Sequence, residues 1–208
     1  MLSACCAAVL AQSPHSHEHR FSDAERWAKV FDDPARDAWQ KPHEVIAALS
    51  PAPDAVVADI GSGTGYFAVR LAHVVPKGRV YGVDTEPDMV KYLDDRAKRE
   101  GLANLVSIAG RPGDANLPAK VDLVLMVDVY HHISDREAYF GKMRASLKSR
   151  ARVAIVDFRP DAPSGPPKRE RIPPGQVKAE LARAGYTLSK EHEFLPQQFF
   201  LVFEATKP

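Results

Sequence analysis

Three glycines at alternate positions, Gly61, Gly63 and Gly65, follow a short apolar run that also contains a carboxylate, Asp59. A glycine turn between a strand and a helix lets the backbone approach a nucleotide closely. The dinucleotide fingerprint G-x-G-x-x-G requires a third glycine where this chain has Tyr66. Asp59 favours a ligand with an ammonium group over a pyrophosphate, because phosphate groups prefer bare amides and positive charge. The turn therefore predicts a nucleotide-like ligand other than a dinucleotide.

A second carboxylate, Asp84, ends the apolar stretch "RVYGVD" that follows the glycine turn. This is the expected place for an acid that accepts hydrogen bonds from the hydroxyls of a ribose. The alternative is that Asp84 only caps the helix predicted to begin at Pro87. Because the acid follows a glycine turn at the spacing typical of nucleoside sites, the sequence favours the ribose role.

The segments that must position these residues alternate between apolar runs and amphipathic stretches. They predict five strands, with a helix between each successive pair except the third and fourth, and then a helix and two more strands that pair as an antiparallel ribbon. Such alternation predicts an α/β fold, a Rossmann-like doubly wound sheet of seven strands in one domain, mostly parallel with one antiparallel strand near the C-terminus. The predicted strands cover residues 55–60, 79–83, 105–109, 121–127, 152–156, 186–191 and 199–204, and the helices 66–75, 87–100, 135–147 and 174–184.

Three further segments flank or interrupt this pattern. Residues 1–20 are small and apolar and then rich in histidine, which predicts a leader or a disordered tail, with a signal sequence or a lipobox at Cys5 as an alternative. Residues 21–50 predict short helices divided by prolines. The stretch "FRPDAPSGPPKRERIPPG" after Asp157 carries six prolines and predicts a long loop. It is either a stiff surface excursion or a lid over a substrate.

Five stretches carry a resemblance to a known family: "VVADIGSGTGYFAVRLA", "VYGVDTEPDMV", "GDANLP", "VDLVLMVDVYHHI" and "VAIVDF". In order and spacing they resemble the motifs of class I S-adenosylmethionine-dependent methyltransferases, in particular the small ubiquinone- and menaquinone-biosynthesis-like branch (methyltransferase types 11 and 25). The resemblance covers about residues 55–204 and makes 51–208 the methyltransferase domain. It implies a seven-stranded sheet with the last strand antiparallel, S-adenosylmethionine as cofactor and S-adenosylhomocysteine as product.

The resemblance also implies a role for each cofactor-binding position. Asp59 and the glycine turn would contact the methionine moiety, and Asp84 the ribose. Met89 would lie against the face of the adenine, and Asp114 would accept a hydrogen bond from its amino group, with Ala115 beside it. The complete set of implied cofactor-binding residues is Asp59, Gly61, Ser62, Gly63, Gly65, Asp84, Met89, Asp114, Ala115 and Asp128.

The acceptor and the catalytic residues are less clearly marked. Asp128, His131 and His132 are candidates because the resemblance places them beside the sulfonium and the substrate, and histidine is a base near neutral pH. The alternative for each histidine is that it packs beneath, or caps, the next helix. Tyr130 and Arg159 are further candidates. Asp128 and Asp157 also lie where related enzymes bind Mg²⁺, but so few ligands predict no metal.

Composition limits the partners. The net charge is +1, from 28 basic and 27 acidic side chains, which does not favour nucleic acid as a partner. An Asn/Asp-Pro-Pro-Tyr/Phe turn, typical of enzymes that methylate bases or amides, is replaced by "VDVYHHI". Both cysteines precede the folded part, which disfavours arsenite as an acceptor. We expect a small-molecule methyl acceptor, no transmembrane span, and a monomer or homodimer.

Two other functions remain open at this stage. The first is an NAD(P)-dependent oxidoreductase, against which Tyr66 and Asp59 argue. The second is a non-catalytic S-adenosylmethionine-binding protein with the same fold. The supply of the cofactor favours a cytoplasmic location, whereas the first twenty residues leave an exported or lipid-anchored protein as the alternative.

Overall fold

The structure, a computed structural model, describes residues 22–206. Its strands are β1 (Val56–Ile60), β2 (Arg79–Asp84), β3 (Leu105–Ala109), β4 (Val121–Val127), β5 (Leu147–Phe158), β6 (Tyr186–His192) and β7 (Gln198–Ala205). They form one seven-stranded sheet in the order β3-β2-β1-β4-β5-β7-β6. β7 runs antiparallel to both of its neighbours, and the other pairs are parallel. The predicted fold class is confirmed.

Helices connect most of these strands. They are α1 (Ala24–Phe31), α2 (Asp37–Gln40), α3 (Pro42–Leu49), α4 (Tyr66–Val74), α5 (Pro87–Arg99), α6 (Arg136–Met143) and α7 (Pro174–Arg183). Single 3₁₀ turns lie at Pro34–Arg36, Tyr130–His132, Arg144–Ser146 and Lys168–Glu170. Among the helices of residues 22–206, none has the length and apolar character that a membrane span requires.

Two groups of buried side chains fill the two faces of the sheet. Alternate residues of β5 belong to different groups: Val153 and Ile155 to one, Ala154 and Val156 to the other. Successive side chains of a strand point to opposite faces, so the two groups lie on opposite sides of the sheet. Residues of α3, α4 and α5 belong to one group, and residues of α6 and α7 to the other. Helices therefore cover both faces, as the continuous apolar runs predict.

The carboxyl ends of β1, β2, β4 and β5 meet at one edge of the sheet, because these strands are parallel and adjacent. In open α/β sheets, ligands bind at this edge, where the strand order reverses. Here the order reverses between β1 and β4. The edge carries the glycine turn (residues 61–65), Asp84, the segment after β4 and the end of β5.

The N-terminal helices lie over the glycine turn. Arg96 of α5 donates hydrogen bonds at 3.0 Å both to Asp32, the residue that ends α1, and to the carbonyl oxygen of Thr64. The ring of Phe31 lies 3.3 Å from the position that a Cβ on Gly63 would occupy. This part of the chain therefore contributes to the edge at which the site is expected. The predicted leader, residues 1–20, lies outside the described residues.

The proline-rich loop (residues 159–173) is ordered by one arginine. The guanidinium of Arg171 donates hydrogen bonds to four backbone carbonyl oxygens of the same loop, those of Pro160, Ala162, Ser164 and Pro166, at 2.6–3.3 Å. An internal network of this kind fixes the shape of a loop that has little secondary structure of its own.

The largest differences between the predicted boundaries and the structure lie at β5 and the helix before it. β5 begins at Leu147, which pairs with Val121, and not at residue 152. The first residues of β5 after Leu147 are exposed and polar, so the apolar pattern starts later than the backbone pairing. The helix before it is correspondingly shorter and ends at Met143. Backbone hydrogen bonds need no apolar side chains where a strand begins at the surface.

Candidate active site

The glycine turn needs its glycines. Gly61, Gly63 and Gly65 have φ values of 71°, 52° and 99°, in the left-handed region that side chains other than glycine rarely adopt. A Cβ on Gly61 would stand 2.2 Å from the side chain of Val129, and one on Gly65 would stand 2.5 Å from a neighbouring leucine. The amides of Gly61 and Ser62 both donate to the carbonyl oxygen of Val83, at 2.8 and 2.9 Å. The turn is therefore fixed against β2.

Asp84 is held at the end of β2 by two backbone amides. The amide of Gly63 donates to Oδ2 at 2.8 Å, and the amide of Glu86 donates to Oδ1 at 3.0 Å. Burial raises the pKa of Asp84 above its usual range, although these hydrogen bonds oppose that rise. Glu86 precedes the first residue of α5, so Asp84 also supports the start of that helix. The two roles weighed from the sequence are therefore compatible, since each carboxylate oxygen has further lone pairs for a ligand.

Asp59 lies in β1 and is 3% exposed. Its pKa is raised to about 7, chiefly by burial and also by the nearby charge of Asp84, although the amide of Ala68 and the charge of Arg36 oppose the rise. A buried carboxylate whose ionised form is disfavoured gains from a cation placed beside it. Asp59 is therefore suited to a ligand with a positive group.

Two hydroxyl groups of the glycine turn are buried without a hydrogen-bond partner in the described part of the chain. They are Oγ of Ser62, a residue 7% exposed, and Oγ1 of Thr64, a residue 0% exposed. A buried hydroxyl without a partner costs free energy, and in native structures such groups are rare. Together with the glycine turn and the two carboxylates, these hydroxyls fit a polar nucleoside ligand.

The three residues expected around the adenine differ in their exposure to solvent. Met89 is buried in α5, and Ala115 is buried at 8% exposure. Asp114 is exposed, in a turn closed by hydrogen bonds between its backbone and that of Arg111, at 2.8 and 2.9 Å. The loop begins at Gly110, whose amide donates to the carbonyl oxygen of Asp84 at 2.9 Å. This bond brings the loop beside the end of β2, while the carboxylate of Asp114 itself remains open to solvent.

A row of hydrogen-bonded polar side chains leads from the N-terminal helices to Asp128. Arg36 donates to Gln40 at 2.7 Å, Gln40 donates to Gln198 at 2.8 Å, and Gln198 donates to Asp128 at 2.5 Å. Both glutamines are 0% exposed. Burial raises the pKa of Asp128 to about 7, as does the charge of Asp157, while Arg36 and Gln198 are among the groups that lower it. The carboxylate of Asp128 is therefore positioned by groups from both ends of the chain.

His131 and Asp157 form a buried pair. Nδ1 of His131 lies 2.9 and 3.0 Å from the two carboxylate oxygens of Asp157, and the side chains are 4% and 3% exposed. The amide of Phe158 donates to Asp157 at 2.7 Å. His132 is exposed, and its ring centroid lies 4.1 Å from that of His131. The two histidines, equivalent in the sequence, thus have different environments.

Two further sequence candidates form hydrogen bonds with other parts of the fold. The hydroxyl of Tyr130 donates to Glu180 of α7 at 2.5 Å, and its ring is fully buried among core aromatics. Arg159 donates to the carbonyl oxygen of Leu195 at 2.8 Å. Within residues 22–206, no group of three or more His, Cys, Asp or Glu side chains is arranged to hold a metal ion.

Sequence reasoning missed Arg36, Gln40 and Gln198. The guanidinium of Arg36 stacks 4.1 Å from the ring centroid of Tyr66, the first residue of α4. Nothing in the local pattern around these residues marks them, because each acts through a partner that is far away in sequence. Arg36 lies in a 3₁₀ turn, Gln40 in the four-residue α2 and Gln198 at the start of β7, so the three residues share no local pattern.

A sheet with this strand order, a glycine turn after its first strand and an acid at the end of its second define the class I S-adenosylmethionine-dependent methyltransferases. A family model described as a methyltransferase domain matches residues 52–198, and the chain belongs to this family. S-adenosylmethionine is the cofactor of the class.

Individual proteins agree with this assignment. The chain is 28% identical over 155 residues to norajmaline N-methyltransferase of Rauvolfia serpentina, and 25% identical over 162 residues to trans-aconitate 2-methyltransferase of Afipia carboxidovorans. These matches cover 73% and 77% of this chain, but only 47% and 60% of the two relatives. A crystal structure of a SAM-dependent methyltransferase from Aquifex aeolicus superposes with a TM-score of 0.80 at 25% identity, over 88% of this chain and 99% of that one.

Proposed function

We propose that the protein transfers the methyl group of S-adenosylmethionine to a small-molecule acceptor. The observation that carries this proposal is the joint arrangement of Asp59, the glycine turn and Asp84 at one edge of the sheet. The backbone of the turn is bonded directly to the carboxylate of Asp84. An oxidoreductase that binds NAD(P) is not favoured, because its fingerprint needs a glycine at Tyr66, the first residue of α4.

Each end of the cofactor meets a complementary group in this arrangement. Asp59 would pair with the ammonium group of the methionine moiety, and Arg36 supplies a cation for its carboxylate. Asp84 would accept hydrogen bonds from the ribose hydroxyls. Ser62 and Thr64 provide hydroxyls that lack a partner. Met89, Asp114 and Ala115 remain the candidates for the adenine.

When bound, S-adenosylmethionine supplies a methyl group that is already activated for transfer. What the protein must add is orientation and the exclusion of water. The hydrogen-bonded row from Arg36 to Asp128 fixes one wall of the site. We infer that Phe31, whose ring contacts the glycine turn, and the proline-rich loop keep water out of the site.

The first experiment measures binding, by the thermal shift of the protein with S-adenosylhomocysteine and, in parallel, with NAD. At about 100 times its dissociation constant, a ligand stabilises a protein by roughly 2.7 kcal/mol. For a chain of this length that corresponds to a shift of about 5–10 °C. Asp84→Ala should lose the shift, and Asp95→Ala, at an exposed position of α5, should keep it. A shift with NAD alone would replace this proposal by the oxidoreductase.

The acceptor and the location are parts of the same proposal. We propose a small molecule and not a nucleic acid, since a net charge of +1 does not favour binding to phosphate backbones. We propose a cytoplasmic location, because the cofactor is made there. Sequencing the N-terminus of protein purified from its native host tests the location: removal of about the first twenty residues would favour export.

A further inference from the structure

The pair of His131 and Asp157 has the geometry of a base and the group that orients it. Asp157 itself is fixed, because it is buried near the end of β5 and accepts a hydrogen bond from the amide of Phe158 at 2.7 Å. The amide of His131 also donates to Asp157, at 3.3 Å. Both the backbone and the ring of His131 are thus tied to one immobile carboxylate.

This arrangement determines which ring nitrogen of His131 carries the proton. A carboxylate at Nδ1 favours a proton on that nitrogen, so in the neutral ring Nε2 has a free lone pair. Within the described part of the chain, no hydrogen bond to Nε2 is found. Nε2 is therefore the atom available to accept a proton from a ligand.

The position of His131 links it to the methyl-transfer edge. It lies in the 3₁₀ turn directly after Val129, whose side chain packs against Gly61 of the glycine turn. Asp157 lies at the carboxyl end of β5, beside β4 in the sheet. The pair therefore lies at the same edge as the cofactor-binding residues and on the side towards β5.

The charges around His131 come from three elements. Burial lowers the pKa of His131, but the hydrogen bond and charge of Asp157, with the charges of Asp128 and of Glu170 in the proline-rich loop, outweigh it and raise the pKa. His132, stacked against the ring, is the other titratable neighbour. Three carboxyl groups disfavour an anionic acceptor at this place, because like charges repel. A neutral acceptor that must lose a proton is the better match.

We propose that His131 is the general base of the reaction, that Asp157 is its positioning residue, and that the acceptor is a neutral molecule with a phenol-type hydroxyl group. This inference rests on the proposed function. The hydroxyl oxygen forms a bond to the methyl carbon, and the carbon–sulfur bond breaks with its electron pair left on sulfur. The hydroxyl proton moves to Nε2 of His131, and Asp157 keeps its charge. A phenol needs this help because it carries its proton at neutral pH, whereas a carboxylate does not.

The first test measures proton transfer without turnover. The probe is 4-nitrophenol, whose phenolate absorbs visible light, added to the protein with saturating S-adenosylhomocysteine near neutral pH. We expect the bound probe to be ionised by the wild-type protein and not by His131→Gln. Equal ionisation in both proteins, or loss of ionisation in His132→Gln in place of His131→Gln, would overturn the assignment. His73→Gln, an exposed histidine of α4, is the matched control and should behave as the wild type.

The second test measures turnover with a radiolabelled methyl donor, on a panel of phenols matched with benzoate and aniline. We expect methylation of phenols only, and a loss of about 10²–10⁴-fold in kcat/KM in His131→Gln at unchanged affinity for S-adenosylhomocysteine. In the wild type kcat/KM should rise with pH through the titration of His131, and the variant should lose that dependence. Methylation of benzoate or aniline instead, or a wild-type protein that binds S-adenosylhomocysteine yet neither ionises nor methylates any phenol, refutes the inference.

A third measurement needs no variant, in case the loss of a buried pair prevents folding. Nitrogen NMR of histidine-labelled wild-type protein reports which nitrogen of neutral His131 is protonated. We expect the proton on Nδ1, and a proton on Nε2 would exclude the role of base. Failure of S-adenosylhomocysteine to bind at all would count against the proposed function, and so is separate from each of these outcomes.

Discussion

Replacement of Asp59 by asparagine should stabilise the ligand-free protein at high pH while weakening its affinity for the cofactor. Burial raises the pKa of this carboxyl to about 7, from an ordinary value of 3.8. Below both values the carboxyl is protonated in the folded and in the unfolded chain. As the pH rises between them, the unfolded chain loses its proton first, so the stability that Asp59 contributes falls. Asparagine does not ionise and escapes this loss.

The size of the effect follows from the same values. About three pKa units, at roughly 1.4 kcal/mol each, correspond to about 4 kcal/mol for a fully coupled group. Asparagine leaves a buried amide donor with no assured partner, which costs about 1–3 kcal/mol at every pH. The quantity to measure is therefore how the difference in unfolding free energy between Asp59→Asn and the wild type changes with pH. The stability of Asp59→Asn relative to the wild type should rise by about 2–4 kcal/mol from roughly pH 4 to pH 8.

Urea unfolding of both proteins at the two pH values measures this difference. Asp122→Asn is the control, since Asp122 accepts hydrogen bonds from Lys148 and from the amide of Val56, at 2.7 and 2.8 Å. Burial would raise the pKa of Asp122, but these bonds lower it, so the relative stability of this variant should fall as the pH rises. A relative stability of Asp59→Asn that does not change with pH would refute the reasoning. As a separate measurement, calorimetry of Asp59→Asn should show weaker binding of S-adenosylhomocysteine, since the ammonium group of this ligand loses its partner.

Three other changes test separate parts of the structure. Gly61→Ala should destabilise the protein by about 2–4 kcal/mol in urea unfolding, from left-handed strain and the contact with Val129, and smaller losses would contradict the close packing. Tyr130→Phe should lower the free energy of unfolding by about 1–2 kcal/mol, because the hydrogen bond to Glu180 is lost. Calorimetry should show unchanged affinity for S-adenosylhomocysteine, and a loss of affinity would show that Tyr130 contributes to the binding site. Arg171→Ala should make the proline-rich loop a faster target for limited proteolysis with little change in Tm, and unchanged cleavage would show that the loop is ordered by other contacts.

The residues proposed to bind the cofactor could be found from the sequence because the pattern that marks them is local. The glycines of the turn, Asp59 before them and Asp84 at the next strand end are set by spacing within and between neighbouring elements. The sheet could be predicted because strands that are buried on both faces appear in the sequence as continuous apolar runs. The individual role of each residue in binding remains a proposal, but the residues come together at one edge as the spacing requires.

The acceptor half could not be predicted in the same way. Gln40 and Gln198 are hydrogen-bonded although 158 positions separate them in the chain. The carboxylate that orients His131 is 26 positions away, on another strand. Burial of such polar groups is decided by what the whole fold packs around them, and a single sequence has no local pattern for that. For the same reason the two adjacent histidines looked alike, although His131 has Nδ1 bonded to a buried carboxylate and His132 is exposed.

The N-terminal helices lie outside the family match, which bears on why that match indicates the cofactor more readily than the methyl acceptor. The family match begins at residue 52, after α3, and contains Asp59, Asp84 and the glycine turn. The charge state of Asp128, in contrast, depends on Arg36, and the hydrogen bond from Gln198 is backed by Gln40; both Arg36 and Gln40 precede the match. The match thus contains Asp59, Asp84 and the glycine turn, whereas part of the polar row that ends at Asp128 lies outside it. Relatives with different substrates in their names are consistent with this division, because a common cofactor site constrains only one of the two ligands.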